Sequence, residues 1–314
     1  MRLVLRRDSR YRHRMRILDL TSDAVAVRPD PALIVAFDGW TDAGEGGTAA
    51  AEHLLARSPA TIVGRFDPDA LYDYRDRRPA LEIDRGRLRT VRWPELTVQH
   101  LAPSSGPDLL VLTGPEPDLG WRTLAADLRE LVDLHGVRRY VGLGSVPGPV
   151  PHTRPVQLVC TSNDAGLLER LGAPHEQMVV PASAQVALES ELAAHGLTTL
   201  GLWVRMPHYV AGPYPEASRA LLERLSSHLG TPVDLSGFDE EIDRNRRRLD
   251  LAATSSDEVR EHLAQLERLY DAESIDPSGP LGIDTQRGAP LTDVDVPSGE
   301  ELADEIERFL RGGA

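Results

Sequence analysis

The chain alternates short apolar runs with longer segments whose apolar residues recur at helical spacing. Residues 32–38 (ALIVAFD) are almost entirely apolar, which is typical of a central strand covered on both faces. Further strands are predicted at about 60–67, 96–101, 108–114, 140–144, 156–161 and 198–204, and helices at about 120–135, 183–195 and 215–229. This order predicts an α/β fold with a mainly parallel sheet sandwiched by helices.

One segment departs from the strand-helix alternation. Residues 81–93 alternate apolar and polar positions around Arg85-Gly86, which predicts an antiparallel hairpin attached to the sheet. Residues 39–47 are rich in glycine and lead into a helix for which Thr48 offers an N-cap hydroxyl.

The charge pattern divides the chain into three parts. Residues 1–16 hold seven arginines and one aspartate and are predicted to be a disordered basic extension, with Met15 as a second plausible start. Residues 17–230 form the predicted α/β domain, and residues 231–314, with nine arginines against 21 carboxylates, form an acidic helical tail. Within that tail, helices are expected at 238–252, 256–272 and 299–311, with a loose Pro- and Gly-rich segment at about 274–298.

Composition removes several functions from consideration. All 35 basic residues are arginines, so a Schiff-base lysine, a phosphate-loop lysine and a lysine general base are excluded. Cys160 is the only cysteine, which excludes an intramolecular disulfide and a multi-thiolate zinc site; we expect it to be a packed thiol in a buried strand. The net charge of −14 disfavours nucleic acid and anionic membranes as partners. No signal or membrane-spanning pattern is found, which predicts a cytoplasmic protein.

No complete catalytic motif is found in the sequence. The Gly-rich loop lacks a basic residue and carries Asp38, Asp42 and Glu45, which would repel a phosphate, so we predict a tight turn and no bound cofactor or metal. The glycines at 142, 144 and 148 follow a strand, but the prolines at 147, 149 and 151 exclude the helix that a dinucleotide site needs.

Isolated polar residues give weaker signals. Ser145 and His152 lie near each other in sequence without a nucleophile elbow around the serine, and we favour a structural, hydrogen-bonded role for His208 over a role at a pocket rim. The arginines at 244 and 246–248 are expected to pair with neighbouring acids on a solvated helix face. Ligands gather at the carboxyl ends of strands in such sheets, which gives one candidate cleft, formed by Asp38, Trp40, Asp42, Glu116, Asn163 and His208.

Four ordered segments carry a family resemblance. Residues 37–44 (FDGWTDAG), 142–147 (GLGSVP), 181–184 (PASA) and 206–209 (MPHY) resemble the proteasome assembly chaperone family, with a closer likeness to actinobacterial members related to the second assembly chaperone. The likeness covers about residues 17–230. It implies an α/β sandwich similar to the phosphorylase/hydrolase type and a role in assembling or activating the proteasome.

The resemblance also bears on partners. Some members of the family end in a hydrophobic–tyrosine–any tripeptide that docks on the proteasome, whereas this sequence ends in Gly312-Gly313-Ala314, so docking by that route is not expected. We therefore favour a non-enzymatic assembly or scaffolding protein that forms homo-oligomers. Two alternatives stay open, a small-molecule hydrolase or phosphorylase acting at the strand ends, and a ligand-binding module without chemistry.

Overall fold

The central strand β2 (Ala32–Asp38) is buried along nearly its whole length because helices cover both faces of the sheet. Successive side chains of a strand point to opposite faces, and here Ile34 and Ala36 enter one apolar core while Leu33 and Val35 enter a second. This computed structural model describes residues 16–21, 27–172 and 179–275. The continuous apolar run of β2 is therefore explained by two cores, one on each side.

The described strands and helices follow the predicted order. The remaining strands are β1 (Leu18–Leu20), β3 (Ala60–Phe66), β4 (Ala80–Asp84), β5 (Arg87–Arg92), β6 (Thr97–Leu101), β7 (Leu109–Pro115), β8 (Arg139–Gly148), β9 (Gln157–Ser162) and β10 (Thr198–Pro207). The helices are α1 (Gly46–Ala56), α2 (Trp121–His135), α3 (Ala165–Leu171), α4 (Ala184–Ala194), α5 (Pro215–Leu229), α6 (Phe238–Ala253) and α7 (Asp257–Ile275).

Eight strands form one sheet in the order β1-β3-β6-β7-β2-β8-β10-β9. The four central strands β7, β2, β8 and β10 are parallel to one another, and the flanking strands pair antiparallel. Helices α2 and α4 cover one face, and α1, α3 and α5 cover the other. The predicted α/β fold is confirmed, with its parallel strands in the centre of the sheet.

Strands β4 and β5 form a separate two-stranded sheet, as the alternation at 81–93 predicted. The turn residues Arg85 and Gly86 both have positive φ, at 48° and 79°. Positive φ at both central positions is what a two-residue hairpin turn of the I′ type requires, and an Asx- or Gly-containing pair usually supplies it. The hairpin is thus built by local turn geometry.

Helices α6 and α7 pack on the α/β domain of the same chain. Phe238, Ile242 and Leu249 of α6 and Leu266 of α7 are buried in the core that also contains α5. Most of the predicted extension at 1–16, nearly all of the predicted loose segment at about 274–298 and the predicted last helix at 299–311 lie outside the described residues. Of the helices that are described, none combines the length and the apolar character that a membrane span requires.

Two local predictions are wrong. Thr48 does not cap α1: the helix begins at Gly46, and the Thr48 hydroxyl is a donor to the Asp42 carboxylate. The strand that contains Cys160 is a half-buried edge strand and not a buried one, because β9 pairs on one side only, with β10. An apolar run alone does not distinguish a central strand from an edge strand that is covered by helices.

Candidate functional site

The Gly-rich loop after β2 places a carboxylate at the start of α1. Asp42 is buried, and its Oδ1 accepts the backbone amides of Gly47 at 2.7 Å and Thr48 at 3.1 Å. Burial raises the pKa of Asp42 above its usual value, while the hydrogen bonds from Thr48 and Gly47 oppose that shift. The helix N-terminus, where a phosphate would bind in other α/β proteins, is therefore occupied by a side chain of the loop itself.

The same loop is held tightly against β8. Asp42 forms a parallel bridge with Ser145, whose amide donates to the Thr41 carbonyl at 2.9 Å. A Cβ on Gly47 would lie 2.4 Å from the Leu143 carbonyl oxygen, so only glycine fits there. The Ser145 hydroxyl donates to the Ala43 carbonyl, a contact that fixes the loop.

Glu116, just beyond β7, connects two neighbouring segments. Its Oε2 accepts the Trp40 amide and its Oε1 accepts the Ala184 amide, both at 2.8 Å, and its own amide donates to the Asp38 carbonyl. Ala184 is the first residue of α4, so this carboxylate also lies at a helix N-terminus. Glu116 thus joins the ends of β2 and β7 to α4 and has no free carboxylate oxygen.

Asp38 and Trp40 face solvent beside Glu116. The Trp40 side chain is 59% exposed, and an Asp38 carboxylate oxygen lies 4.0 Å from Nη1 of Arg77. Arg77 in turn stands over the Tyr72 ring, 6.0 Å from its centroid. Four of the six cleft residues, Asp38, Trp40, Asp42 and Glu116, therefore come together at the carboxyl end of the central strands.

Asn163 lies at the opposite end of the sheet from those four residues. Its Nδ2 donates to the Leu197 carbonyl at 2.8 Å, and its Oδ1 accepts the Thr199 amide at 3.0 Å. Leu197 and Thr199 flank the beginning of β10, whereas the other residues lie where parallel strands end. Because β9 runs antiparallel to β10, the residue after β9 is delivered to the amino-terminal edge.

His208 lies at the end of β10, in a cluster with α6 and α7. Its ring lies 5.5 Å from the ring of His262 on α7, and its Nδ1 is 3.2 Å from the Gly148 carbonyl. His152, close by, bonds through Nδ1 to the Tyr209 hydroxyl at 2.7 Å and through Nε2 to Asp250 at 3.3 Å. Burial lowers the pKa of His152. These contacts fasten the tail helices to the domain.

The remaining motifs have structural contacts. The glycines at 142, 144 and 148 all lie within β8, so they form a strand and not a phosphate turn. A Cβ on Gly144 would lie 2.5 Å from the Trp203 ring, which explains a glycine there. Burial raises the pKa of the Cys160 thiol to about 11, which disfavours the thiolate. Within the described ranges, no three His, Cys, Asp or Glu side chains are grouped as a metal site would need.

The β4–β5 hairpin presents a cluster of exposed apolar side chains. Leu81 pairs with Val91, and Ile83 pairs with Leu88; cross-strand partners share a face, and these four side chains are 44–72% exposed. We call them the hairpin face. On the hairpin, ion pairs join Arg89 to Asp84 and Arg92 to Glu82. The sequence predicted the hairpin, but not that its apolar side would be uncovered. The available signal for an uncovered side was that no predicted helix follows this strand pair.

A model of the PAC2 family matches residues 36–253, more than two thirds of the chain. The chain belongs to the PAC2 family. Among proteins with curated descriptions, none matches this sequence. The predicted resemblance to proteasome assembly chaperones is confirmed, and the matched PAC2 region extends through α6.

Solved structures agree with that assignment. A Mycobacterium tuberculosis protein of unknown function is 34% identical with a TM-score of 0.77, covering 83% of this chain and 92% of that one. A Corynebacterium glutamicum protein of unknown function is 30% identical with a TM-score of 0.78, covering 82% and 98%. A second M. tuberculosis protein, described as a proteasome-assembly chaperone homologue, is 29% identical with a TM-score of 0.70, covering 74% and 99%.

Proposed function

We propose that this PAC2-family protein is a non-enzymatic assembly or scaffolding protein, and that it associates with a second copy of itself through the hairpin face. The observation that carries the proposal is the uncovered face of Leu81, Ile83, Leu88 and Val91. A two-stranded hairpin is marginally stable in water unless its apolar side packs on another surface. Clustered exposed apolar side chains are a mark of protein interaction sites.

Charge supports a second copy as the occupant. The hairpin segment 80–92 carries four arginines, at 85, 87, 89 and 92, against two carboxylates, Glu82 and Asp84. The chain as a whole has a net charge of −14, and the first turn of α6 alone presents Asp239, Glu240 and Glu241. A net-basic arm on an acidic molecule is attracted to acidic surfaces of another copy.

The relatives support a role in assembly. One relative with 29% identity is described as a proteasome-assembly chaperone homologue. The proteasome is accordingly a candidate further partner. The contacts of Asp42 and Glu116 support the non-enzymatic part of the proposal. Backbone amides already engage both carboxylates, which gives these side chains a structural role.

The test compares solution masses by native mass spectrometry and sedimentation velocity. The variant Leu81→Ser/Ile83→Ser/Leu88→Ser removes the hairpin face, and Glu82→Ser/Arg92→Ser changes a charged pair on the same hairpin as the matched control. We expect an oligomer for the wild type and for the control, and a shift to the monomer mass for the triple variant with an unchanged circular dichroism spectrum. A monomeric wild type at tens of micromolar (about 10–100 μM, the range of transient association), or a triple variant that keeps the wild-type mass, would refute the proposal.

A further inference from the structure

A cavity of about 380 Å³ lies between the start of α5, the helix α6 and the loop that precedes α1. Its volume falls in the range of about 300–1,000 Å³ that is typical of small-molecule sites. The residues that matter for its chemistry are Pro213, Tyr214, Phe238, Arg244, Asn245 and Arg248. It shares no residue with the hairpin face, so a ligand in this cavity would be independent of the proposed function.

One side of the cavity is apolar and well fixed. Tyr214 and Phe238 are 3% and 6% exposed, and the Tyr214 amide donates to the Gly44 carbonyl at 2.9 Å. Phe238 also packs on the His53 ring, with 4.7 Å between ring centroids. Pro213 adds a rigid surface beside them. A ligand would therefore meet a preformed apolar wall.

The other side carries two arginines, and neither forms an ion pair with a described carboxylate. Arg244 and Arg248 are four residues apart on α6, which puts them on the same face of the helix. No hydrogen bond or ion pair links Arg244 to any described residue, whereas Arg246 of the same run does pair with an acid, since its Nε lies 4.0 Å from Glu216. Nη2 of Arg248 donates to the Asn245 Oδ1 at 2.9 Å, while its Nε is buried without a hydrogen-bond partner.

Many other arginines of the described chain meet carboxylates, as Arg57 meets Asp234 at 2.8 Å and Arg154 meets Asp271 at 2.8 Å. Two guanidinium groups beside a cavity are suited to an anion, because their planar donors match carboxylate and phosphate oxygens. An anionic ligand would supply the partner that Arg244 lacks among the described residues.

The neighbouring carboxylates limit the charge of that anion. Glu241 lines the cavity, and Glu216 lies behind Asn245, whose Nδ2 donates to it at 2.9 Å. With two arginines and one lining carboxylate, the local excess of positive charge is small. A dianion would lose more hydration free energy than a monoanion on entering a cavity with an apolar wall, and the small positive excess would offset less of that penalty.

We propose that the cavity between α5 and α6 binds a small monocarboxylate with an apolar body. Its carboxylate pairs with Arg244 and Arg248, and its body packs on Tyr214, Phe238 and Pro213. Asn245 holds Arg248 in place through the Oδ1 contact and is itself held by Glu216. This assigns the arginine-rich stretch of α6 a ligand-binding role.

The test uses benzoate as the probe and isothermal titration calorimetry as the measurement. Benzamide, with the same ring and no charge, reports what the apolar wall contributes alone, and phenyl phosphate tests the preference for a monoanion. The variant Arg244→Gln removes the uncompensated cation. Arg247→Gln, on the same helix and outside the cavity lining, is its matched control. Both replaced side chains are exposed, so the fold should be kept.

Four results are expected together. The wild type and Arg247→Gln bind benzoate with the same affinity, Arg244→Gln binds it at least about tenfold more weakly, and benzamide and phenyl phosphate bind the wild type more weakly than benzoate does. Failure of benzoate to bind the wild type, equal binding of benzamide, or equal weakening by both substitutions would overturn the proposal. Tighter binding of phenyl phosphate would overturn its monoanion part.

Discussion

The carboxylate of Glu116 accepts the backbone amide of Ala184 at 2.8 Å, across 68 positions of sequence. Its second oxygen accepts the Trp40 amide. Replacing Glu116 with alanine leaves two backbone donors without their acceptor, so we expect the free energy of unfolding to fall by about 1–3 kcal/mol. Glu116→Gln keeps one acceptor oxygen and should cost less. Urea unfolding measures both variants.

Glu95→Ala is the control for that comparison. Glu95 forms an exposed ion pair with Arg65 at 2.8 Å, and exposed pairs contribute roughly 0–1 kcal/mol. If Glu95→Ala destabilised the protein as much as Glu116→Ala, the connecting role of Glu116 would be wrong.

Gly47→Ala should destabilise the protein because its Cβ would lie 2.4 Å from the Leu143 carbonyl oxygen. The contacted atoms belong to the backbone of a central strand, which leaves little room to relax, so we expect a loss of about 1–3 kcal/mol. Gly166→Ala on α3 meets no atom closer than 3.4 Å and should stabilise the protein by about 0.5–1 kcal/mol. Thermal denaturation of the two variants checks the opposite signs, and equal shifts would contradict the close approach.

Glu189 should make stability depend on pH near neutrality. Burial raises its pKa to about 7, while hydrogen bonds such as those from the Thr161 hydroxyl, at 3.0 and 3.1 Å, oppose the shift. The unfolded chain titrates at a lower pH, so the folded state binds more protons between the two pKa values. The contribution of Glu189 is therefore most favourable at acidic pH and is lost as pH rises through about 7.

Glu189→Gln removes that dependence. At about pH 8.5 we expect the variant to be more stable than the wild type by about 1–3 kcal/mol, with little difference at about pH 5. Glu191→Gln, on the same helix and paired with Arg129 at 2.8 Å, is the control and should not change the pH profile. Parallel wild-type and Glu189→Gln stability curves across this range would disprove the assignment.

His262 should give the opposite pH dependence. Burial, and then the nearby His208, lower the pKa of His262, and both ring nitrogens are buried without a hydrogen-bond partner. The unfolded state therefore takes up a proton more readily, so stability is lost as pH falls below about 6.5. His262→Leu should reduce the fall in Tm between about pH 7.5 and about pH 5.5, and thermal scans at both values measure it.

His195→Gln is the control for His262→Leu. His195 is exposed and pairs with Asp133 at 3.0 Å, away from the tail helices. It should retain the acid-induced fall in Tm that His262→Leu reduces. An unchanged fall in His262→Leu would show that the contact between α7 and the domain does not sense pH through this residue.

The fold could be predicted because it depends on local patterns. The run at 32–38 predicted β2 with its bounds, and the alternation around Arg85-Gly86 predicted the hairpin. The candidate cleft depended on strand direction, which composition does not encode. The prediction groups Asn163 with residues at the other edge because a mainly parallel sheet implies a parallel β9. The Pro-rich link at 149–156 is too short for a helix and is the signal in the sequence for an antiparallel strand.

The features that could not be predicted depend on contacts between segments that are distant in sequence. The bond from Ala184 to Glu116 and the packing of His262 near His208 join residues far apart in sequence, and neither leaves a local pattern. The sequence pattern does not reveal exposure either, because the hairpin face has the same alternation of apolar and polar residues as a strand with one buried face. Residue patterns predict which side chains are apolar, but only packing decides which of them stay uncovered.

Asp42 at the start of α1 and Glu116 at the start of α4 act as built-in ligands. Each carboxylate accepts the backbone amides at a helix N-terminus. In other open-sheet proteins, the same position can bind a phosphorylated metabolite. A mutation that merely enlarged the nearby loops would not create such a site, because the internal anion would still compete for the same amides. A new ligand-binding site would form more readily on the outer helices and the hairpin, where no internal carboxylate has to be displaced first.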